Sequence, residues 1–215
     1  MILVNRIDKI IQILEKETKK YLNPAMNYSE IYSDSYTVLV GCLLSLRTKD
    51  KVTIEASKRL FSLAKNPKEM TKLSLRQIEN AIKIVNYYKT KAKRIREISY
   101  FLLKNYKGQV PDRIEELLKL RGVGRKTANI VLTHGFNKYA IAVDTHVHRI
   151  SNRLGILNTK TPEETEKELM KILPKKHWKK YNTLLVVWGQ NVCKPIRPLC
   201  NFCNIYKYCK RVGVK

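Results

Sequence analysis

Apolar residues recur along this chain at helical spacing. Ile7, Ile10, Ile11 and Leu14 fall at i, i+3, i+4 and i+7, which predicts a first helix with one apolar stripe. Residues 22–34, with Asn23-Pro24 and interleaved Ser and Tyr, read as a loop. Ser35 is a candidate cap for a helix whose apolar run is Val38 to Leu46, and Asp50 for one carrying Ile54, Ala56, Leu60 and Phe61. The pattern continues through Leu75–Val85, Ala92–Tyr106 and Ile114–Leu120, with short polar joints. Val147, Ile150 and Leu154 mark a further helix that Asp144 could cap. Thr161-Pro162-Glu163-Glu164 has the order of an N-cap, a proline at the first helical position and early acids. Trp178 to Val192 is the last long helix. No period-two run flanks a hairpin turn and no repeat is found, so the expected fold class is all-α with short loops.

Composition agrees with a folded chain. Of 215 residues, 44% are hydrophobic and 28% charged, with 8 Gly and 7 Pro, which excludes collagen-like and largely disordered chains. Charge changes the picture. Forty-three Lys and Arg against 18 Asp and Glu give +25, and self-repulsion on that scale is usually offset by a polyanion. The cations cluster between Lys89 and Arg96, between Lys175 and Lys180, and from Cys193 to the end, where no acid occurs. One such run is ordinarily a solvated helix face; three in one chain point to phosphate contacts, with Lys91 and Arg94 expected among them. An anionic membrane is the weaker alternative, because no run of eighteen apolar residues appears. The charged amino terminus has no signal-peptide core, so a cytoplasmic location and reduced cysteines are expected.

Four of the five cysteines, Cys193, Cys200, Cys203 and Cys209, form a C-x6-C-x2-C-x5-C pattern near the end of the last helix. Cys42, among Val, Gly and Leu, reads as a small core residue. Zinc accepts four thiolates, but its sites commonly come as two short-spaced pairs, and only one C-x2-C pair is present. Four cysteines along one winding loop also suit an iron–sulfur cubane, which needs one thiolate per iron. Spacing ranks the cluster above zinc without excluding either.

Residues 117–128 read L-x-x-L-x-G-V-G-x-K-T-A. Gly122-Val123-Gly124 between two helices lets the backbone turn tightly and come close to a ligand, while the second helix directs its positive end at the same place. One such glycine would be explained by a helix C-cap alone; the longer pattern is more specific.

That longer pattern resembles the helix-hairpin-helix of the endonuclease III family of DNA glycosylases. Ile141-Ala142-Val143-Asp144-Thr145-His146-Val147 resembles the family's catalytic-aspartate segment, and the cysteine tail is similar to its [4Fe–4S] loop. The three motifs stand in the family's order and cover the chain from about residue 30 to 209. The resemblance implies two helical domains flanking a DNA-binding cleft: a bundle over 27–138 ending in the hairpin, and a cluster domain built from 1–26 and 139–215. It implies a bifunctional DNA glycosylase and AP lyase acting as a monomer on double-stranded DNA with a damaged base or abasic site. Oxidised pyrimidines are the expected lesions.

Residue by residue, it places the nucleophile at Lys126 and the catalytic carboxylate at Asp144. A lysine at a helix start beside Arg125 has its ammonium form disfavoured, leaving amine to form a Schiff base; a nearby carboxylate would act in the opposite sense. Gly122, Val123, Gly124 and Arg125 are expected at the DNA backbone. The residues filling the gap left by the flipped nucleotide fall at Arg47 and Tyr87, and the cluster ligands at the four cysteines. Two positions depart from the family: Arg47 stands where a glutamine is frequent, which bears on lesion preference, and Arg121 where proline is common. Two alternatives remain: a mismatch glycosylase acting on T or U opposite G or on adenine, and a non-enzymatic DNA-binding iron–sulfur protein.

Overall fold

The computed structural model describes residues 2–21 and 31–214; most of the segment read as a loop, 22–30, lies outside them. Among the described residues there is no strand. The helices are α1 (Ile2–Glu17), α2 (Ser35–Ser45), α3 (Asp50–Phe61), α4 (Pro67–Lys72), α5 (Leu75–Ile82), α6 (Tyr88–Tyr106), α7 (Ile114–Leu117), α8 (Arg125–Ile130), α9 (Thr145–Leu154), α10 (Pro162–Ile172) and α11 (Trp178–Asn191), with a π turn over Val131–Gly135. The all-α expectation holds. None of these helices is long and apolar enough to cross a membrane. Two compact units result, one holding 31–138 and the other 2–21 with 139–214.

In the 31–138 unit, α2 is apolar on nearly every side, and its residues from Tyr36 to Leu44 are buried except for the half-buried Cys42. It packs against α3, α6, α8 and the π turn, so it is the axis of this bundle. Its N-cap is Asp34, not Ser35: the Asp34 carboxylate accepts from the Tyr36 and Thr37 amides at 2.8 and 2.9 Å, and Thr37 Oγ1 accepts from the Asp34 amide. A carboxylate one residue earlier reaches both orphan amides, and Ser35 already lies in the first turn. Asp50 likewise lies inside α3; Lys49 holds the cap position without a side-chain bond.

Helix α4 went unpredicted because six residues are too few to show a period, although Asn66-Pro67 is the same cap-and-proline signal as Thr161-Pro162. Helix α6 begins at Tyr88, ahead of the expected Ala92, while α5 and α7 stop short of Val85 and Leu120. Hydrophobic period locates the middle of an element better than its ends.

In the other unit the predicted stripe of α1 is fully buried, with Ile7, Ile10, Ile11 and Leu14 packed among Val147, Ile150, Leu154, Leu169, Leu185 and Trp188. Burying each such side chain contributes about 1.5–3 kcal/mol. Thr161 caps α10 by accepting from the Glu164 amide at 3.1 Å. Arg6 of α1 donates to the carbonyls of Leu154 and Tyr208, tying the amino-terminal helix to the cysteine loop.

Candidate nucleic-acid interface and catalytic residues

The two glycines of the hairpin differ in what the fold asks of them. Gly122 has φ +83°, a left-handed conformation that favours glycine, and the flexible end of the Arg94 side chain lies over it, 2.6 Å from where a Cβ would stand. Gly124 is the N-cap of α8 with φ −96°, which any residue tolerates, and a Cβ on it would meet nothing within 4 Å. That backbone is therefore open to solvent, and the fold does not itself require glycine there. Val123 is buried at 6% exposure and its amide donates to Leu120 O at 3.0 Å, so it anchors the turn. The Ala128 amide donates to Gly124 O at 2.9 Å and so starts the hydrogen-bond ladder of α8, and a helix start is where anions are received. Arg125 is half-buried, Lys126 is exposed in the first turn, and Arg94 covers the turn from α6.

In the other unit, Asp144 is half-buried and caps α9. Its Oδ1 accepts from the His146 and Val147 amides, each at 2.9 Å. The cap reading of Asp144 therefore holds, and both amide bonds fall on the same carboxylate oxygen.

Arg47 and Tyr87 are both exposed, Tyr87 to 62%, and both hold left-handed backbone, with φ of 53° and 58°. Each such non-glycine residue costs about 1 kcal/mol or more, and persists only where neighbours hold it. The neighbours are visible. Asn86 Nδ2 donates to Arg47 O, and Lys91 Nζ donates to Leu44 O (2.6 Å), Leu46 O (2.7 Å) and Thr48 Oγ1 (2.9 Å). Lys91 is thus buried at 5% exposure, which corrects its expected place among the phosphate contacts. Burial pulls its pKa down to about 8, so at neutral pH it remains an ammonium with three acceptors. A signal for this lay in the sequence: Lys91, Ile95, Ile98 and Leu102 are spaced four, three and four apart, so Lys91 continues the buried stripe of α6. Cys42 is half-buried rather than fully enclosed, and burial pushes its thiol up to about 12.

Cys193, Cys200, Cys203 and Cys209 line one recess, partly open to solvent, together with Arg153, Trp188 and Ile205. Arg153 donates to Cys193 Sγ and the Arg211 amide to Cys209 Sγ, both at 3.4 Å. The buried indole N–H of Trp188 has no full hydrogen bond within the protein, although it faces Cys203. Among the described residues no three metal-binding side chains converge on an ion-sized point. Four thiols on one recess, with N–H donors aimed at sulfur, are a donor set that a polynuclear cluster can use.

A bare glycine turn feeding a helix start, with a lysine in its first turn, belongs to a class of helix-hairpin-helix proteins. Residues 40–175 match the family described as HhH-GPD superfamily base excision DNA repair protein. The chain is 51% identical over 178 residues to Endonuclease III of Thermotoga maritima, covering 83% of this chain and 84% of that one. It is 38% identical over 181 residues to Endonuclease III of Bacillus subtilis, covering 84% and 83%. A solved non-covalent Endonuclease III–DNA complex superposes with a TM-score of 0.79 at 32% identity, covering 95% of each chain. A trapped Endonuclease III–DNA covalent intermediate gives 0.77 at 33%, covering 89% and 97%. The chain belongs to the endonuclease III family of base excision repair, whose members are DNA glycosylases and AP lyases.

Proposed function

We propose that this chain removes damaged pyrimidines, oxidised ones above all, from double-stranded DNA and then cleaves the strand 3′ to the abasic site by β-elimination, acting as a monomer. The observation that carries the reading is the hairpin, where an exposed lysine stands in the first turn behind a glycine whose bareness the fold does not require. Lys126 Nζ gives its lone pair to C1′ of the sugar, and the C1′–N bond breaks with its electrons leaving on the base, which takes up a proton. Ring opening leaves the sugar joined to Lys126 as an iminium. Loss of a C2′ proton then expels the 3′ phosphate. Asp144 stabilises the positive charge that develops on the sugar. Arg47 and Tyr87 fill the space vacated by the extruded nucleotide. Borohydride trapping on abasic DNA tests the reading, because only an amine nucleophile yields a covalent adduct; a protein that binds but never traps would leave the non-enzymatic alternative standing.

Gly122, Gly124 and Arg125 hold the phosphate backbone at the hairpin, with Arg94 beside them; Val123, whose amide already donates to Leu120 O, serves the expected DNA contact only by anchoring the turn. If about six phosphates are neutralised, affinity falls by about a thousandfold between 50 and 200 mM salt. Arg94→Ala is expected to lower the log–log salt slope by about one without changing lesion preference, whereas Lys91, whose ammonium is used internally, contributes nothing to that slope. Titrations of fluorescent duplex over a salt series check both statements, and a flat plot would mean that the +25 charge serves something else.

The four cysteines are the residues that would hold a [4Fe–4S] cluster, with Arg153 and the Trp188 N–H donating toward its sulfur. Bound there, the cluster supplies a rigid core for the basic loop, not a reacting group. Lys194, Arg197, Lys207, Lys210 and Arg211 are interleaved with these cysteines along the chain or directly follow them. Purified protein should be brown, with a broad visible absorption and about four irons per chain. A colourless protein with one zinc would overturn the assignment.

A further inference from the structure

The largest departure from the expected charge pattern is Lys91, which turns away from solvent and spends its ammonium on one loop. Its three acceptors, Leu44 O, Leu46 O and Thr48 Oγ1, bracket Arg47 on both sides along the chain. Asn86, one residue before Tyr87, donates to the carbonyl of Arg47 itself. The backbones of Arg47 and Tyr87 are therefore joined through a single side chain. Both are left-handed, both residues are exposed, and Lys91 lies one turn into α6, whose N-cap position Tyr87 holds. A helix C-terminus with exposed carbonyls is ordinarily capped by glycine or water. Here α2 ends on a buried ammonium from another helix, and the residue that this holds in a strained conformation is the one expected to meet DNA.

We propose that Lys91 and Asn86 are positioning residues that lock Arg47 and Tyr87 into one two-pronged wedge, set before DNA arrives. This rests on the reading of those two residues as gap-fillers. Neither Lys91 nor Asn86 touches the reacting atoms; each acts through the backbone of the prongs. The burden falls on extruding an intact base, since unstacking is what a wedge must stabilise, and a sugar that has already lost its base needs little of it. A misplacement of about 1 Å in such a group costs on the order of a hundredfold where geometry controls the step.

The test compares two substrates under single turnover: a duplex with one intact oxidised pyrimidine, and the same duplex with a pre-formed abasic site. A 2-aminopurine beside the lesion reports extrusion. Asn86 is exposed, so Asn86→Ala leaves the core untouched, while Lys91→Met strands three acceptors and is read only after thermal melting shows that it folds. For both variants the loss on the intact duplex is expected to exceed the loss on the abasic duplex by about tenfold, with a matching fall in the 2-aminopurine signal. Equal losses on both substrates would show a general structural role and overturn the proposal. Arg47→Ala and Tyr87→Ala run alongside. If they slow excision while Asn86→Ala does not, the prongs stand and the lock is refuted. If they leave excision unchanged, the gap-filling reading itself fails and takes the lock with it.

Discussion

Lys126→Gln is expected to abolish both borohydride trapping on abasic DNA and strand cleavage, with lesion binding retained within about tenfold. Glutamine keeps length and polarity but has no nucleophilic nitrogen, so no iminium can form. The site tolerates the change: Lys126 is exposed in the first turn of α8, where a surface substitution alters stability by about 0.5 kcal/mol or less. The bare backbone at Gly124, the turn at Gly122 and the guanidinium of Arg94 above it are all left unchanged. Cleavage should fall by a thousandfold or more, on the order expected when a nucleophile is removed. Gel-resolved trapping and cleavage of a labelled abasic duplex provide the measurement. Undiminished trapping would transfer the chemistry to another amine, with Lys49 and the chain terminus the first to examine.

What could be read in the sequence follows from which forces act locally. The stripe of α1, the apolar run of α2 and the cap at Thr161 are short-range patterns, and each is found as read. The hairpin glycines were legible as a motif, but not why each is needed. That Arg94 comes to lie over Gly122 depends on a residue 28 positions earlier in the chain, and no local pattern carries it.

The basic run on α6 shows the same limit from the other side. Charge counting treats Lys89 to Arg96 as one group, whereas helical phase separates them. Lys91 falls on the buried stripe and Arg94 comes to lie over the hairpin. Phase is present in the sequence; the acceptors that make a buried ammonium tolerable are not, because the carbonyls at the end of α2 are 45 to 47 residues away. The cysteine spacing favoured a cluster over zinc by pattern alone. The shared recess, the Arg153 donor and the underused Trp188 N–H add a reason that spacing could not contain.

Asp144→Asn is expected to slow base excision by about a hundredfold or more while leaving the protein folded. The two roles of this residue make the substitution informative. As a cap, Asp144 needs one oxygen that accepts from the His146 and Val147 amides at 2.9 Å, and an asparagine Oδ1 accepts both in the same place. Asparagine and aspartate rank together as N-caps, and losing the charge at the helix start costs only about 0.3–1 kcal/mol. Thermal melting should therefore shift by a few degrees at most. As an electrostatic catalyst, Asp144 must offer a full negative charge to the sugar as the glycosidic bond breaks, and an amide cannot. Alanine would confound the two roles, since it removes the cap as well, at about 0.5–2 kcal/mol. Single-turnover excision by Asp144→Asn, set beside its melting curve, separates them. A stable variant with wild-type excision would reduce Asp144 to a cap, whereas a stable variant slowed a hundredfold would show that the cap holds a catalytic carboxylate in place.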